Sequence, residues 1–257
     1  MGSPADLAHL QSTLAAAGLS LPFSEHVQAA DATRHLALLS RFPITARRPV
    51  TDLRYQLDQA EYPVQRGFLD LTIPLSPSFS VRFIGAHLKS RRDIPEADQA
   101  LMRRNEAHLL RAHLDILLAA DPLTPLLLYG DFNDTRDQPS IKAIKGLLSS
   151  TTVLHELLPT DPQGDRWTFH YPTADEYSRI DFLFASPGLY PQLADRTATL
   201  HRAPDWFTAS DHRPLSTLIQ IPTATPKPPA SKSKTSPTPT EKAPTKRPPR
   251  PKKPTAP

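Results

Sequence analysis

The sequence changes character at Pro222, and this change limits which part of the chain can form a hydrophobic core. Residues 222–257 contain 12 of the chain's 30 prolines and nine lysines or arginines, with Glu241 as their single acidic residue and no aromatic residue. A segment of this composition buries too little apolar surface to offset the entropy that it loses on ordering. We therefore predict a folded domain over residues 1–221 and a disordered Pro/Lys/Thr-rich basic tail over residues 222–257.

The tail also accounts for the basic charge of the chain. Of the 30 Lys and Arg residues and the 26 Asp and Glu residues, 21 and 25 lie before the tail, so the body is acidic although the whole chain carries +4. Basic segments attract polyanions through electrostatics. The tail is either an arm that binds nucleic acid, cell-wall polymer or anionic lipid, or a solubilising appendage, and its composition fits both.

The composition excludes several classes of site. The chain has no cysteine, which rules out disulfides, thiolate catalysis and Cys-ligated zinc or iron-sulfur centres. A metal would have to be held by oxygen or imidazole. The sequence has neither a transmembrane run nor a signal peptide after Met1. As written, the protein is expected to be cytoplasmic and monomeric, and secretion stays open for a form with an upstream signal segment.

The body alternates between helical and strand patterns. Ser3 and Asp6 form a capping box that predicts a helix ending at Gly18, and a long helical pattern follows over Pro95–Ala119, with Leu101 on its apolar side. Strands are predicted at His35–Ser40, Thr51–Leu57, Gly67–Leu75, Phe79–His87 and Leu126–Tyr129, with more after a helix at Pro139–Leu148. This mixture predicts an α/β domain with antiparallel character.

Polar residues follow apolar strand patterns in four short clusters, where a rigid sheet can present them to solvent. Each cluster alone has an ordinary structural explanation: a strand-end histidine, a Gly-Asp-x-Asn turn, an edge ion pair and a helix cap. The clusters are His87 in FIGAHLKS, Asp131 and Asn133 in YGDFND, Asp181 in YSRIDFLF, and Asp211 with His212 in TASDHRP.

The clusters together have a more specific meaning. Carboxylate and amide oxygens, two imidazoles and the nearby Lys89 are what Mg²⁺-assisted attack on a phosphate ester requires. The order HLKS, GDFND, RIDF, SDH resembles the endonuclease/exonuclease/phosphatase superfamily, the deoxyribonuclease I-like proteins, over roughly residues 3 to 221. This resemblance implies a four-layer αββα sandwich of two mainly antiparallel sheets.

The resemblance also implies roles for the polar residues. His87 matches the histidine that donates toward the scissile phosphate, with Lys89 beside it as a substrate contact. Asp131 and Asn133 match the pair that binds phosphate, metal or the attacking water, and Asp211 matches a magnesium ligand.

A histidine and a carboxylate complete the implied site. His212 matches the histidine that acts as base or phosphate ligand, and Asp181 matches the carboxylate that orients it. The attacking water is activated by His212 or by Asp131, and the sequence leaves this choice open. The implied cofactor is Mg²⁺, with Mn²⁺ as the alternative.

The front of the chain departs from the family pattern. Family members begin with a strand, a helix and a second strand that ends in a Gln-Glu pair whose glutamate ligates magnesium, whereas this sequence starts with a pattern typical of the following helix. The domain is therefore expected to be N-terminally incomplete, either because the sequence starts too late or because the protein is truncated. Glu25 is the nearest glutamate but lies outside that pattern.

Two functions follow from these features. The first is a metal-dependent phosphoesterase that hydrolyses phosphodiester or phosphomonoester bonds, with DNA or RNA as the first substrate class to consider. The second is an inactive remnant or pseudoenzyme that binds polyanions through the basic tail.

Overall fold

The computed structural model describes residues 1–222. From residue 223 onward the predicted basic tail lies outside the described residues, so its disorder and the domain boundary near Ile221 stay predictions. None of the described helices is long and apolar enough to cross a membrane.

The described residues form a mixed α/β fold. The helices are α1 (Pro4–Ala16), α2 (Gln99–Ala120) and α3 (Pro139–Lys145), with short 3₁₀ helices at Tyr190–Gln192 and Trp206–Thr208. In chain order the strands are β1 (Phe23–Val27), β2 (Leu36–Ser40), β3 (Ala46–Arg47), β4 (Arg54–Leu57), β5 (Ala60–Pro63), β6 (Phe68–Ser76), β7 (Phe79–His87), β8 (Leu126–Asp131), β9 (His155–Glu156), β10 (Pro159–Thr160), β11 (Phe169–Tyr171), β12 (Glu176–Ser178), β13 (Asp181–Ala185), β14 (Ala198–Leu200) and β15 (Leu215–Ser216).

The helix starts follow from local capping. The predicted capping box of α1 is confirmed, because the Asp6 N–H donates to Ser3 Oγ (3.3 Å) and the Ser3 N–H donates to the Asp6 carboxylate (2.6 Å). The second helix begins later than its apolar pattern predicts. The Asp98 carboxylate accepts the N–H groups of Ala100 and Leu101, and this cap fixes the start of α2 at Gln99.

A six-stranded sheet in the order β3-β6-β7-β8-β13-β9 forms the centre of the molecule. Its neighbours pair antiparallel except β7 and β8, which run parallel. A parallel pair needs a long crossover connection, and α2 provides it between these two strands. The mainly antiparallel α/β architecture predicted from the sequence is therefore confirmed.

Helices α2 and α3 cover one face of this sheet. Leu110 and Leu114 of α2 pack in one core cluster with Ile84, Leu128 and Phe184 of the sheet.

The predicted face of α2 needs a correction. Leu101 is exposed and its neighbour Met102 is buried, because the buried stripe of α2 repeats every four residues from Met102 through Leu110 and Leu114, and Leu101 lies outside it. Arg103 and Arg111 are buried on the same helix, since each guanidinium pairs with carboxylate or carbonyl oxygens.

Two smaller groups of strands cover the opposite face. Strands β1 and β2 form one antiparallel pair, and β10, β14 and β15 form a separate sheet. Leu75, Phe83 and Tyr129 of the central sheet are half-buried and contact the core clusters under both groups. No strand among residues 1–222 joins β2 to β15. That the domain lacks N-terminal elements stays a prediction.

Candidate active site

Strand register sets three of the predicted residues side by side. His87 ends β7 and lies opposite Asp131, which ends the parallel strand β8. Asp181 begins the antiparallel strand β13 and lies opposite Asp131 on the other side. Adjacent strands are about 4.8 Å apart. The central sheet therefore presents an imidazole and two carboxylates in a row at one of its ends.

His212 reaches this row from the loop before β15. An isolated bridge pairs it with Phe169, whose ring centroid lies 4.8 Å from that of His212. Its Nδ1 lies 2.8 Å from Asp181 Oδ2, which is a hydrogen bond, and its Nε2 lies 3.9 Å from Asp131 Oδ2. The bond through Nδ1 fixes the orientation of the ring and leaves Nε2 directed toward Asp131.

The GDFN segment is both a turn and part of the site. Asn133 has a φ of 52°, a left-handed conformation that asparagine tolerates better than most residues. Its backbone N–H donates to Asp131 Oδ1 (2.8 Å), and its Nδ2 donates to the carbonyl of Leu88 (3.0 Å) and to Asp131 Oδ2 (3.2 Å). Because Nδ2 makes both side-chain bonds, the amide oxygen is the group that Asn133 can offer to a ligand.

The loop that carries His212 is held by a buried ion pair. The Arg213 N–H donates to the Thr168 carbonyl (2.7 Å), and Arg213 Nη2 donates to Asp161 Oδ2 (2.7 Å), with both side chains fully buried. Thr168 Oγ1 accepts the backbone N–H of Asp181 (3.1 Å). Sequence reasoning missed these supporting residues; the arginine directly after His212 was the available signal.

The environment of His212 favours its charged form. Burial alone would lower the pKa of its imidazole, but the hydrogen bond to Asp181 and the negative charges of Asp181, Asp131 and Asp211 raise it to about 9. In the metal-free protein His212 therefore carries a proton at neutral pH.

His87 and Asp131 shift in the opposite sense, toward their neutral forms. Burial, followed by the charges of Arg66 and His212, lowers the pKa of His87 to about 3, so its imidazole is neutral. Burial, together with the charge of Asp181, raises the pKa of Asp131 to about 7. A neutral imidazole still donates one hydrogen bond, which is what the predicted role of His87 requires.

All seven predicted site residues line one open cleft of about 1180 Å³. Asp211 is exposed at its rim, whereas Lys89 is buried in its wall, with Nζ 3.4 Å from the carbonyls of Ser90 and Arg92. The structure therefore brings together what the sequence separates by more than 120 residues. The chemical role of each residue stays a prediction.

The donor set fits a hard divalent cation. Ligand atoms of Asp131, Asp181 and His212 all lie within 4.8 Å of one another, and the negative charge of Asp181 adds to burial in raising the pKa of Asp131. A cation would offset this repulsion, and carboxylate oxygens are the ligands that Mg²⁺ prefers. Asp211 is not part of this close group, so its predicted role as a metal ligand stays a prediction.

No glutamate joins the group within the described residues. Glu25 lies on β1, where its carboxylate is 2.6 Å from Arg47 Nε, and it does not line the cleft. Glu106 is fully buried on α2 and accepts the Lys89 backbone N–H (2.6 Å). Burial raises the pKa of Glu106 to about 7.

Sequence reasoning also missed two charged residues that line the cleft. Arg66, which precedes β6, and Asp31 line it. Arg66 follows no apolar strand pattern, so nothing in the sequence marked it as a site residue.

The chain matches a known protein family over most of its length. The model of the Endonuclease/Exonuclease/phosphatase family matches residues 6–212. No curated protein sequence matched the chain.

Solved structures share the fold at low sequence identity. A beta toxin from Staphylococcus aureus is 15% identical, with a TM-score of 0.57 over 85% of this chain and 84% of its own. Sphingomyelinase C from Streptomyces griseocarneus is 16% identical, with a TM-score of 0.55 over 84% and 79%. Truncated TDP2 from Caenorhabditis elegans is 16% identical, with a TM-score of 0.55 over 82% and 77%. At sequence identities of 15–16%, the similarity establishes a shared fold alone.

Proposed function

This chain belongs to the endonuclease/exonuclease/phosphatase family, and from that premise we propose that it is a Mg²⁺-dependent phosphodiesterase that acts on nucleic acid. The family as a whole consists of metal-dependent phosphoesterases. The substrate, the metal and the roles of individual residues are the part that we propose.

The observation that carries the proposal is the hydrogen-bonded pair of His212 and Asp181 beside Asp131. A carboxylate on Nδ1 fixes the tautomer and orientation of an imidazole and stabilises the imidazolium that forms when Nε2 takes a proton. Nε2 is directed into a cleft that also holds His87 and Asn133. This is the arrangement needed to move a proton next to a phosphate.

The reaction is hydrolysis by in-line attack of water. The water oxygen attacks phosphorus and the water proton passes to Nε2 of His212. The bond from phosphorus to the leaving oxygen breaks, and this oxygen keeps the electron pair and takes a proton from solvent. His87 donates a hydrogen bond to a phosphoryl oxygen from its neutral ring. Lys89 adds positive charge to the wall of the cleft.

Asp131, Asp181 and the amide oxygen of Asn133 are the groups that would hold the cation. When bound, it would stabilise the negative charge that develops on the phosphoryl oxygens. Neutralising these carboxylates also removes part of what raises the pKa of His212, which returns the imidazole toward the range in which it accepts a proton at neutral pH.

Nucleic acid is the proposed substrate because the tail is basic. Nine Lys and Arg residues after Pro222 would raise the local concentration of a polyanion.

The test is cleavage of plasmid DNA and of bis(p-nitrophenyl) phosphate with and without Mg²⁺. We expect Mg²⁺-dependent turnover that His212→Ala lowers by about 100-fold or more. His9→Ala, an exposed histidine on α1 that does not line the cleft, is the matched control and should leave turnover unchanged. Activity that survives His212→Ala would contradict the site assignment.

A second candidate is a polyanion-binding protein without turnover. It is favoured by the absence of a glutamate from the acidic group in the part of the chain that the structure describes. It predicts salt-sensitive retention on DNA that disappears when residues 222–257 are deleted, with no cleavage in Mg²⁺ or Mn²⁺. Retention that is unchanged by the deletion would remove the tail from the explanation.

A further inference from the structure

Arg66 is a buried cation with unused hydrogen-bond donors. Its side chain is 7% exposed, and its Nε lies 3.1 Å from Asp31 Oδ2 in an orientation that forms no hydrogen bond. Its Nη1 is buried and has no hydrogen-bond partner among the described residues. Leaving donors of a buried charged group unpaired costs folding free energy, so native structures rarely contain them without a reason.

Asp31 does not satisfy this guanidinium because its carboxylate serves its own loop. Oδ1 of Asp31 accepts the N–H groups of Thr33 (2.9 Å) and Arg34 (3.0 Å) and the Thr33 hydroxyl (3.0 Å). Only Oδ2 faces Arg66. The Asp31 N–H donates to the Gln65 carbonyl (2.7 Å), which ties this loop to the residue before Arg66. The ion pair therefore positions Arg66, while Nη1 of its guanidinium is left without an acceptor among the described residues.

The loop that carries Arg66 is also held by a buried side chain of α2. The buried carboxylate of Glu106 accepts the backbone N–H of Lys89 (2.6 Å) and lies 3.5 Å from the backbone N–H of Gln65, which donates to it. One side chain of α2 thus fixes the residue before Arg66 and the residue two positions after His87. Arg66 is held by a rigid element and not by a free loop.

Arg66 belongs to the same cleft as the acidic group. It lines this cleft with His87, Lys89 and Arg34. After burial, the charge of Arg66 is the next largest cause that lowers the pKa of both His87 and Lys89. Positive charge is therefore concentrated in this part of the cleft, and the charge of Arg66 also reaches Asp131, where it opposes the rise in pKa that burial and Asp181 cause.

A tetrahedral phosphate dianion or diester matches such a cleft. Its non-bridging oxygens are acceptors with negative charge, and a planar guanidinium binds them with two parallel N–H donors. The carboxylates of Asp131 and Asp181 by themselves repel the same group. Arg34, Arg66 and Lys89 supply the positive charge that attracts it.

We propose that Arg66 binds the non-bridging oxygens of the phosphate on which the enzyme acts, in an anion subsite that Asp31 and Glu106 hold in position. This inference rests on the proposed function for the identity of the substrate but not for the anion that binds. Arg66 is thus a further substrate-binding residue of the cleft.

The first test measures binding of inorganic phosphate to the full-length metal-free protein by calorimetry. Charge-assisted hydrogen bonds of this kind correspond to about tenfold or more in affinity. We expect Arg66→Met to weaken phosphate binding by about tenfold or more. Arg104→Met is the matched control, since Arg104 is exposed on α2 outside the cleft, and it should bind phosphate as the unchanged protein does.

A second variant keeps the test decisive if Arg66→Met does not fold. Arg66→Lys retains the charge but loses the planar pair of donors, so we expect weakened binding with a cooperative thermal transition. Phosphate binding that is equal in Arg66→Lys, Arg104→Met and the unchanged protein would overturn the proposal.

Measurements of turnover distinguish a failure of this inference from a failure of the proposed function. On bis(p-nitrophenyl) phosphate we expect Arg66→Met to lower kcat/KM by about tenfold or more, whereas Arg104→Met leaves it unchanged. If the unchanged protein binds phosphate through Arg66 but cleaves nothing, the proposed function fails and the subsite stands. If it cleaves and the Arg66 variants bind phosphate normally, only the subsite fails.

Discussion

At the scale of single residues, the site depends on charges that modify one another. His212 is stabilised as an imidazolium by Asp181, while burial keeps His87 neutral and raises the proton affinity of Asp131. Residues only a few ångströms apart thus differ in protonation at the same pH because each has different neighbours.

The first prediction concerns the titration of His212. In the metal-free protein its imidazole should titrate near pH 9, and Asp181→Asn should lower this pKa toward 6.5, because the amide oxygen of asparagine still accepts the hydrogen bond but carries no negative charge to stabilise the imidazolium. The measurement is an NMR titration of the histidine ring protons. Asp52→Asn, an exposed carboxylate outside the cleft, is the control. A value near 9 in both variants would show that Asp181 is not the cause.

A second prediction at this scale concerns Gly130, which precedes Asp131. Its φ is 151°, and an added Cβ would lie 1.8 Å from the backbone oxygen of Ala86 on β7. Gly130→Ala should lower the free energy of unfolding by about 3 kcal/mol or more, because backbone atoms of the sheet have to move apart. Chemical denaturation measures this change.

Gly164→Ala is the matched control for Gly130→Ala. Gly164 also has a positive φ, of 89°, but an added Cβ would meet no atom within 4 Å. We expect only the cost of the backbone conformation, about 1 kcal/mol. Equal losses in the two variants would show that the approach of β8 to β7 is not what requires glycine at Gly130.

At the scale of elements, buried charges join the sheet to the helix that covers it. Asp70 on β6 accepts hydrogen bonds from Arg82 Nε on β7 (2.7 Å) and lies 2.9 Å from His113 Nε2 on α2. The side chain of Asp70 is 2% exposed. A strand, its neighbour and the crossover helix therefore share one carboxylate.

Removing that carboxylate should destabilise the fold. Asp70→Asn removes the buried negative charge that pairs with the largely covered Arg82, and breaking such a pair costs about 3–5 kcal/mol. Glu61→Gln, which removes the pair with Arg54 between two half-exposed side chains, should cost about 1 kcal/mol or less. Urea denaturation of both variants provides the measurement, and similar losses would contradict the importance of burial.

The same group predicts a dependence on acid. Burial opposes ionisation of Asp70, but the hydrogen bonds from His113 and Arg82 and the charge of Arg82 hold its pKa below the usual 3.8. A carboxyl with a depressed pKa contributes stability above its unfolded pKa and loses it as the pH falls through the folded value. The stability lost between pH 5 and pH 3 should therefore be smaller in Asp70→Asn than in the unchanged protein.

At the scale of the whole molecule, the described residues leave one face of the central sheet partly covered. Leu75, Phe83 and Tyr129 lie between the β1–β2 pair and the β10–β14–β15 sheet, and two cavities of about 430 Å³ and 360 Å³, lined mainly by apolar residues, adjoin this strip. The Tyr129 hydroxyl is buried there and has no partner among residues 1–222.

This strip predicts binding of an apolar dye by the native protein. Exposed contiguous apolar surface is unusual in a stable monomer and binds such probes. We expect the fluorescence of 8-anilinonaphthalene-1-sulfonate to rise on mixing with the folded protein, and Phe83→Ser to reduce the rise. Leu148→Ser, an exposed leucine away from the strip, is the control. A signal that appears only during unfolding would contradict the prediction.

How much the sequence predicts depends on whether a signal is local. The α1 capping box and the strand that ends at His87 are encoded by neighbouring residues, and the structure confirms both. The strand predicted over Leu126–Tyr129 continues through Gly130 to Asp131, and the left-handed turn residue is Asn133. The apolar pattern places the start of α2 too early, because the helix begins only after the cap at Asp98.

The candidate residues can be recognised in the sequence because strand ends and polar motifs are visible along the chain. The distances between their side chains cannot be read from the sequence. The register of β7, β8 and β13 decides that His87, Asp131 and Asp181 are neighbours, and a shift of one residue would turn each of these side chains to the other face.

By itself, the sequence determined the α/β class, the residues able to do chemistry and the change in composition at Pro222, since these depend on residue type and short-range periodicity. Only the tertiary structure decided that Arg66 lies buried in the cleft that Asp131 also lines, because a buried charge and a surface charge have the same letter in the sequence. Its environment is made by Asp31 and Glu106, which are 35 and 40 residues away along the chain. Contacts of that range arise from packing, and packing is a property of the folded molecule.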